Sequence, residues 1–301
     1  MRRQPLAALP ASLSEAQHAT LAQLTAELAA LDGVVAVSLG GSHARRQANA
    51  SSDVDVGVIY RESAPFALAP LRALCTRHDD THAPVVAGFG EWGAWVNGGA
   101  WLTIRGARFD LLYRSVEQLE GALADAQAGR WQLDFSQQAP FGYFSAALLG
   151  ELACCVALHD PQAELASLKL RVALYPEALR RAVVQGALWQ VELGLHAFAP
   201  KLAARGEVLG AVGCMTRFGA YLVLALFALN RAWFVNDKTA LAEIAGFALA
   251  PRAFGERLSA VLAAPGATPA ALGASLAEIG ALFRETIALA PELYAPRYAL
   301  P

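Results

Sequence analysis

The period of the hydrophobic positions changes along the chain and divides it into two regions. From Val34 to about Tyr113, short β-branched or aromatic runs are broken by glycine: VVAVSL, DVDVGVIY, PVVAGF, AWLTIR and ARFDLLYR. Runs of this kind predict strands. From about Phe144 onward, Ala/Leu stretches punctuated by Pro and Gly predict helix. Ahead of the first strand, Leu21, Leu24 and Leu28 recur at helical spacing, with Ser12 and Glu15 placed as a capping box and Asp32-Gly33 as the stop. A strand from Val34 to Leu39 then meets the Gly40-Gly41 turn, a short helix over about Ser42 to Gln47 and a polar link from Asn49 to Ser52.

The next strand, from Asp53 to Tyr60, alternates: Asp53, Asp55 and Gly57 share one face, and Val54, Val56 and Val58 share the other. A helix from about Phe66 to Arg77 leads into the loop HDDTHAP. AWLTIR and ARFDLLYR, separated by Gly106, predict an antiparallel hairpin, and Ser115 caps a further helix ending near Gly129. The predicted class is α+β. A mixed-sheet catalytic domain over 1–129 and a hinge over 130–143 precede an all-α helical bundle over 144–301. That bundle should hold five to seven helices, with a start at Pro176 and breaks at Gly206 and Pro251.

Composition changes this picture little. The chain is 55% hydrophobic, but alanine supplies roughly one residue in five, which favours helix. The longest apolar run, Phe218 to Leu229, is closed by Arg217 and by Asn230-Arg231. A bilayer span needs about 20 apolar residues, so the run predicts a buried helix. The N-terminus, MRRQPLAALPASLSE, has no sustained apolar stretch, so no secretory signal is expected. A net charge of -2 argues against a chain that coats nucleic acid or an anionic membrane. Four cysteines without zinc-site spacing fit reduced thiols and a cytoplasmic setting.

The candidate chemistry lies in GGSHARRQANASSDVDVGV, Gly40 to Val58. Asp53 and Asp55 project from one strand face, and burying two like charges together costs several kcal/mol unless a cation lies between them. Mg²⁺, an oxygen-seeking ion held by carboxylates and substrate phosphates, supplies that charge. Asp110 is a third carboxylate, inside the apolar run RFDLL of another strand. Three carboxylates on neighbouring strands can hold metal ions that activate an attacking oxygen and stabilise a phosphate leaving group. Gly40 and Gly41 let the backbone approach phosphate oxygens, and Ser42 adds a hydroxyl at a helix start.

This constellation resembles the nucleotidyltransferases of the DNA polymerase β type: a Gly-Ser turn, a spacer, an Asp-x-Asp pair and a later strand carboxylate. Further along, GEWGAWVNGGAWLTIRGARFDLLYR and LFALNRAWFVNDK resemble an uncharacterised bacterial family of two-domain nucleotidyltransferases, similar in architecture to aminoglycoside adenylyltransferases. Two positions depart from that family's pattern: Asp237 stands in Asn236-Asp237-Lys238 where Glu is usual, and His43 stands where Arg is usual. The resemblance implies transfer of a nucleoside monophosphate, with ATP the expected donor, to an acceptor hydroxyl, with release of pyrophosphate. A small-molecule acceptor is expected ahead of a nucleic acid; transfer to tRNA or a protein side chain, or a nucleotide-binding regulator without turnover, are the alternatives. The resemblance also implies Asp53 and Asp55 as metal ligands, Ser42 on the terminal phosphates, and Asp110 completing the metal site or deprotonating the acceptor. Lys238 either reaches the triphosphate from the helical domain or is a solvated helix-start lysine.

Other residues are open from sequence. Glu91 in FGEWG is the candidate for a separate general base, or a loop carboxylate facing water. Arg45 and Arg46 follow the turn and either meet the triphosphate or are solvated. Trp92, Trp95 and Trp101 either offer a stacking face or are half-buried core. His78, Asp79, Asp80 and His82 read as a polar connector, and Glu192 and Glu207 have no spacing that singles them out.

Overall fold

The computed structural model describes residues 10–299. The expectation about residues 1–9 of the N-terminus therefore lies outside the described residues. The chain divides into two compact units, one of Met1–Ala124 with Leu148–Leu174 and the other of Asp125–Ala147 with Tyr175–Pro301.

The first unit opens with α1 (Glu15–Ala29) and β1 (Val34–Leu39). It continues through α2 (Gly41–Ala44), β2 (Val54–Tyr60), α3 (Leu68–His78), β3 (Val85–Val86) and α4 (Gly93–Val96). The hairpin β4 (Gly99–Ile104) and β5 (Ala107–Ser115) then leads into α5 (Val116–Gln127). Between the two parts of this unit come β6 (Leu133–Asp134) and β7 (Tyr143–Phe144), which pair with each other where a plain hinge was expected. The chain returns to the first unit in α6 (Ala147–Cys154), β8 (Val156–His159) and α7 (Glu164–Val172). The region beyond 144 is thus not wholly helical: β8 pairs antiparallel with β1 as an edge strand of the sheet. Its four residues, VALH, are too short to stand out against the Ala/Leu background around them.

The sheet is mixed, with strand order β3-β4-β5-β2-β1-β8. β2 and β5 run parallel and the other neighbours antiparallel. Alternation sends Val54, Val56, Val58, Phe109, Leu111, Tyr113, Leu102 and Ile104 into one core, which α1 and α3 close with Leu21, Leu24, Leu28, Leu71 and Leu74. The opposite face of the same strands carries Asp55, Gly57, Asp110, Leu112, Trp101 and Thr103, none of them fully buried. The sheet therefore presents one packed face and one chemically loaded face. The N-cap of α1 is Ser14, not Ser12, with a capping box closed by Gln17, because Ser12 instead bonds His43 at 2.9 Å. Ser115 takes its expected place, accepting from the Gln118 N–H at 3.0 Å at the start of α5.

The second unit is built on α8 (Glu177–Ala197), α9 (Ala199–Ala204), α10 (Val208–Leu229), α11 (Ala240–Ile244), α12 (Phe254–Ala263) and α13 (Pro269–Ala288). Pro176 is the N-cap of α8, and Gly206 separates α9 from α10. By length and composition α10 could cross a bilayer, but most of its apolar stretch is buried against α8, α9 and α13, which makes it the core helix of this unit. It extends the expected Phe218 to Leu229 run by nearly three turns at its N-terminal end.

Glu192, on α8, is fully buried and accepts from the Tyr294 hydroxyl and from the backbone N–H groups of Arg297 and Tyr298, each at 2.6 Å. Its carboxylate ties the C-terminal segment to the helices, the role that its sequence spacing did not reveal.

Candidate functional site

The site is built at the junction of β1, β2 and β5. The parallel register sets Asp55 directly opposite Asp110, and the antiparallel hairpin sets Asp110 directly opposite Trp101. Residues opposite one another share a face, so a row runs Trp101, Asp110, Asp55 across the open side of the sheet. Asp55 and Asp110 are half-buried. Sequence alternation could place Asp55 on a face, but only the β2–β5 pairing, between segments far apart in the chain, brings Asp110 beside it.

The turn after β1 closes onto this row. The Gly40 N–H donates to the Asp55 carbonyl at 2.8 Å. Gly41 follows with φ +57°, and a Cβ built on it would lie 1.6 Å from Asp55 Oδ2 and 2.5 Å from Cγ. Glycine is enforced here twice, by the left-handed backbone and by contact with the carboxylate. Gly40 is under neither constraint: its φ is −116° and its nearest neighbour to a Cβ, Asp55 Cβ, is 3.6 Å away. Of the two glycines, Gly41 is the one the site requires.

Ser42 follows in the single turn of α2, its hydroxyl buried and without a hydrogen-bond partner. An orphaned buried hydroxyl is costly, and one carried by the turn that closes on Asp55 is a group that a ligand oxygen would satisfy. His43 is buried, its Nδ1 paired with the Ser12 hydroxyl and its Nε2 unpartnered. Burial pushes its pKa below the ordinary histidine value, and the carboxylate of Asp53 partly offsets this. Asp53 therefore lies within electrostatic reach of the turn, one residue ahead of β2. The link before it is held by Arg108, whose guanidinium donates to the Ser51 carbonyl at 2.8 Å. Arg45 is the C-cap of α2, its N–H donating to the Gly41 carbonyl at 3.2 Å, and its side chain is half-buried.

Among the described residues no three His, Cys, Asp or Glu side chains form a metal-binding group. The donor set that fits a hard divalent ion is the Asp55–Asp110 pair. Mg²⁺ is commonly held by one or two carboxylates, with phosphate oxygens and water completing its shell.

Glu91 is exposed and closes its own loop, accepting from the Gly88 N–H at 2.8 Å. Lys238 belongs to the second unit, where it is exposed and its N–H donates to Asn236 Oδ1 at 3.1 Å ahead of α11. The HDDTHAP loop clamps the β4–β5 hairpin. Asp79 accepts from the Thr103 N–H at 2.7 Å, and Asp80 from the N–H groups of Arg105 and Gly106, each at 2.8 Å. These two carboxylates hold in place the hairpin that carries Asp110 and Trp101. Among residues overlooked in the sequence, Arg114 reaches from β5 to Glu151 of α6 at 2.7 Å, fastening the returning chain to the sheet. The alternation of ARFDLLYR put Arg114 on the same face as Asp110, which was the signal available.

Residues 145–238 match the profile of a domain of unknown function, DUF4037. No curated protein matches the chain. A crystal structure of a nucleotidyltransferase-like protein from Exiguobacterium sibiricum 255-15 superposes with a TM-score of 0.44 at 11% identity, covering 92% of this chain and 77% of that one.

Proposed function

We propose that the chain is a nucleotidyltransferase that moves a nucleoside monophosphate, with ATP as the first donor to test, onto a hydroxyl of a small molecule. The observation that carries this reading is the closure of the Gly41-Ser42 turn onto Asp55, directly beside Asp110. The turn offers backbone N–H groups and an unsatisfied hydroxyl to the terminal phosphates. Asp55 and Asp110 would hold Mg²⁺, which supplies positive charge to the triphosphate and the leaving group. Asp53, one residue ahead of β2, would add negative charge beside the turn.

The acceptor oxygen attacks the α-phosphorus, and its proton passes to the Asp110 carboxylate. The bond from the α-phosphorus to the bridging oxygen breaks, and pyrophosphate leaves on the side of the turn. Asp110 is preferred to Glu91 for this proton because it faces Asp55 across one strand spacing, whereas Glu91 is engaged within its loop. Arg45, the C-cap of the turn's helix, is the cation assigned to the triphosphate. The net charge of -2 supports a small acceptor over a polyanionic nucleic acid.

The test is incubation with α-labelled ATP, Mg²⁺ and a panel of hydroxylated small molecules, with tRNA and total protein as separate acceptors. Labelled product that disappears in Asp55→Asn and Asp110→Asn, both still folded, is the expected result. If calorimetry detects no Mg²⁺-dependent binding of ATP, GTP, CTP or UTP to the wild-type chain, the reading fails.

A further inference from the structure

The open face of the sheet carries a feature that nucleotide chemistry alone does not use. Trp101, third in the row with Asp55 and Asp110, is 52% exposed in the middle of β4. An indole with that much surface in water is unfavourable by the ordinary measure of apolar burial. Trp92 lies against it, ring centroids 4.8 Å apart and planes at 22°, so two indoles form one stacked slab. The slab is seated on glycine: a Cβ at Gly99 would meet the Trp92 ring at 2.6 Å and the Leu111 carbonyl oxygen at 2.0 Å. The backbone has thus been kept bare so that Trp92 can rest on this face and back Trp101.

The slab's position gives it a partner. Adjacent strands are about 4.8 Å apart, so Trp101 stands one strand beyond Asp110 and roughly 10 Å from Asp55. The Gly41-Ser42 turn touches Asp55 from the opposite side, that of β1. In an in-line displacement the entering and leaving oxygens lie on opposite sides of phosphorus. If pyrophosphate departs toward the turn, the acceptor enters over Asp110, with the remainder of its body on the Trp101 slab. We infer that Trp101, backed by Trp92, is the platform for the acceptor, and that the acceptor is a ring-bearing alcohol whose flat face stacks on the indole beside the attacking hydroxyl. This inference rests on the nucleotidyl-transfer reading for the direction of attack; the slab itself does not depend on it. An aromatic platform favours a ring that offers a continuous apolar or C–H face over an acyclic polyol with the same hydroxyl count.

The experiment follows tryptophan emission of the full chain, in Mg²⁺ and a non-hydrolysable ATP analogue. The titrants are ring alcohols (methyl pyranosides, aminocyclitols and hydroxymethyl arenes), with sorbitol and glycerol as acyclic controls. At least one ring alcohol should quench emission saturably while the acyclic controls do not. Trp101→Ala should weaken that ligand's binding roughly tenfold or more, and Trp101→Phe should recover most of it. Calorimetry of the ATP analogue should differ less than twofold between wild type and Trp101→Ala, since the platform lies away from the phosphate turn. Silence from every ring alcohol, or equal affinity in wild type and Trp101→Ala, overturns the inference. A wild-type chain that binds ring alcohols through Trp101 yet binds no nucleotide would instead overturn the nucleotidyl-transfer reading and leave the platform standing.

Discussion

Replacing Gly41 with alanine separates the geometry of the turn from generic backbone strain. The residue has φ +57°, and the left-handed conformation costs a non-glycine residue about 1 kcal/mol. The added Cβ would lie 1.6 Å from Asp55 Oδ2, so the carboxylate must move by about 1.4 Å to reach even a 3.0 Å contact. Turning a short, half-buried side chain that far from its rotamer adds about 1 kcal/mol, for a total near 2 kcal/mol. Urea unfolding followed by circular dichroism measures the sum, and two neighbours calibrate it. Gly106→Ala, at φ +76° with nothing within 4 Å, should cost the backbone part alone. Gly40→Ala, at φ −116° with an ordinary 3.6 Å contact, should cost little. In an Asp55→Ala background the contact part should disappear, leaving a coupling of about 1 kcal/mol between the two positions. Function should fall further than stability: displacing a reacting-site group by about 1 Å costs on the order of 100-fold in rate. A Gly41→Ala chain no less stable than Gly106→Ala, with no coupling to Asp55, would refute the claim that the turn is built against that carboxylate.

Removing Glu192 should loosen the second unit. Glu192→Ala strands the Tyr294 hydroxyl and two backbone N–H groups, a loss of about 3 kcal/mol in urea unfolding, whereas Glu192→Gln keeps an acceptor and should cost about half as much. Equal stabilities for wild type and Glu192→Ala would show that the C-terminal segment is not held this way. His43 should give the first unit a pH dependence. Burial holds its folded pKa below the ordinary histidine value of about 6.5, so the unfolded chain takes up its proton first. The contribution is complete above the unfolded pKa and is lost as pH falls through the folded one. Stability should therefore decline more steeply below about pH 6.5 in wild type than in His43→Gln, and parallel curves would remove the histidine from this role.

Much of the sheet was legible because its signals are local. The alternation of DVDVGVIY, the glycine between AWLTIR and ARFDLLYR, and the helical spacing of Leu21, Leu24 and Leu28 each depend on neighbours in sequence. The convergence of Asp55, Asp110 and Trp101 depends on pairing between strands separated by tens of residues, and alternation assigns a face without assigning a register. The short strand β8 escaped because four residues in an apolar setting carry no period. Helix α1 was found but its cap was misplaced by two residues: Ser12 and Ser14 each have a plausible partner three positions on, and the buried His43 Nδ1 claims Ser12. Glu192 was legible only as a charge on an apolar helix, since its three partners lie about a hundred residues later.

The return of β8 to the sheet has a consequence for how the polypeptide comes into being. A ribosome that has released only the first 129 residues has delivered a sheet whose β1 edge still waits for its outer neighbour, contributed by residues 156–159. Residues 125–147, meanwhile, belong with helices that have not yet been made. Neither unit can be liberated by one cut, and a fragment ending at the apparent boundary near residue 129 would carry a bare strand edge, an invitation to pair with another copy of itself. A fragment continued through residue 174 would close that edge.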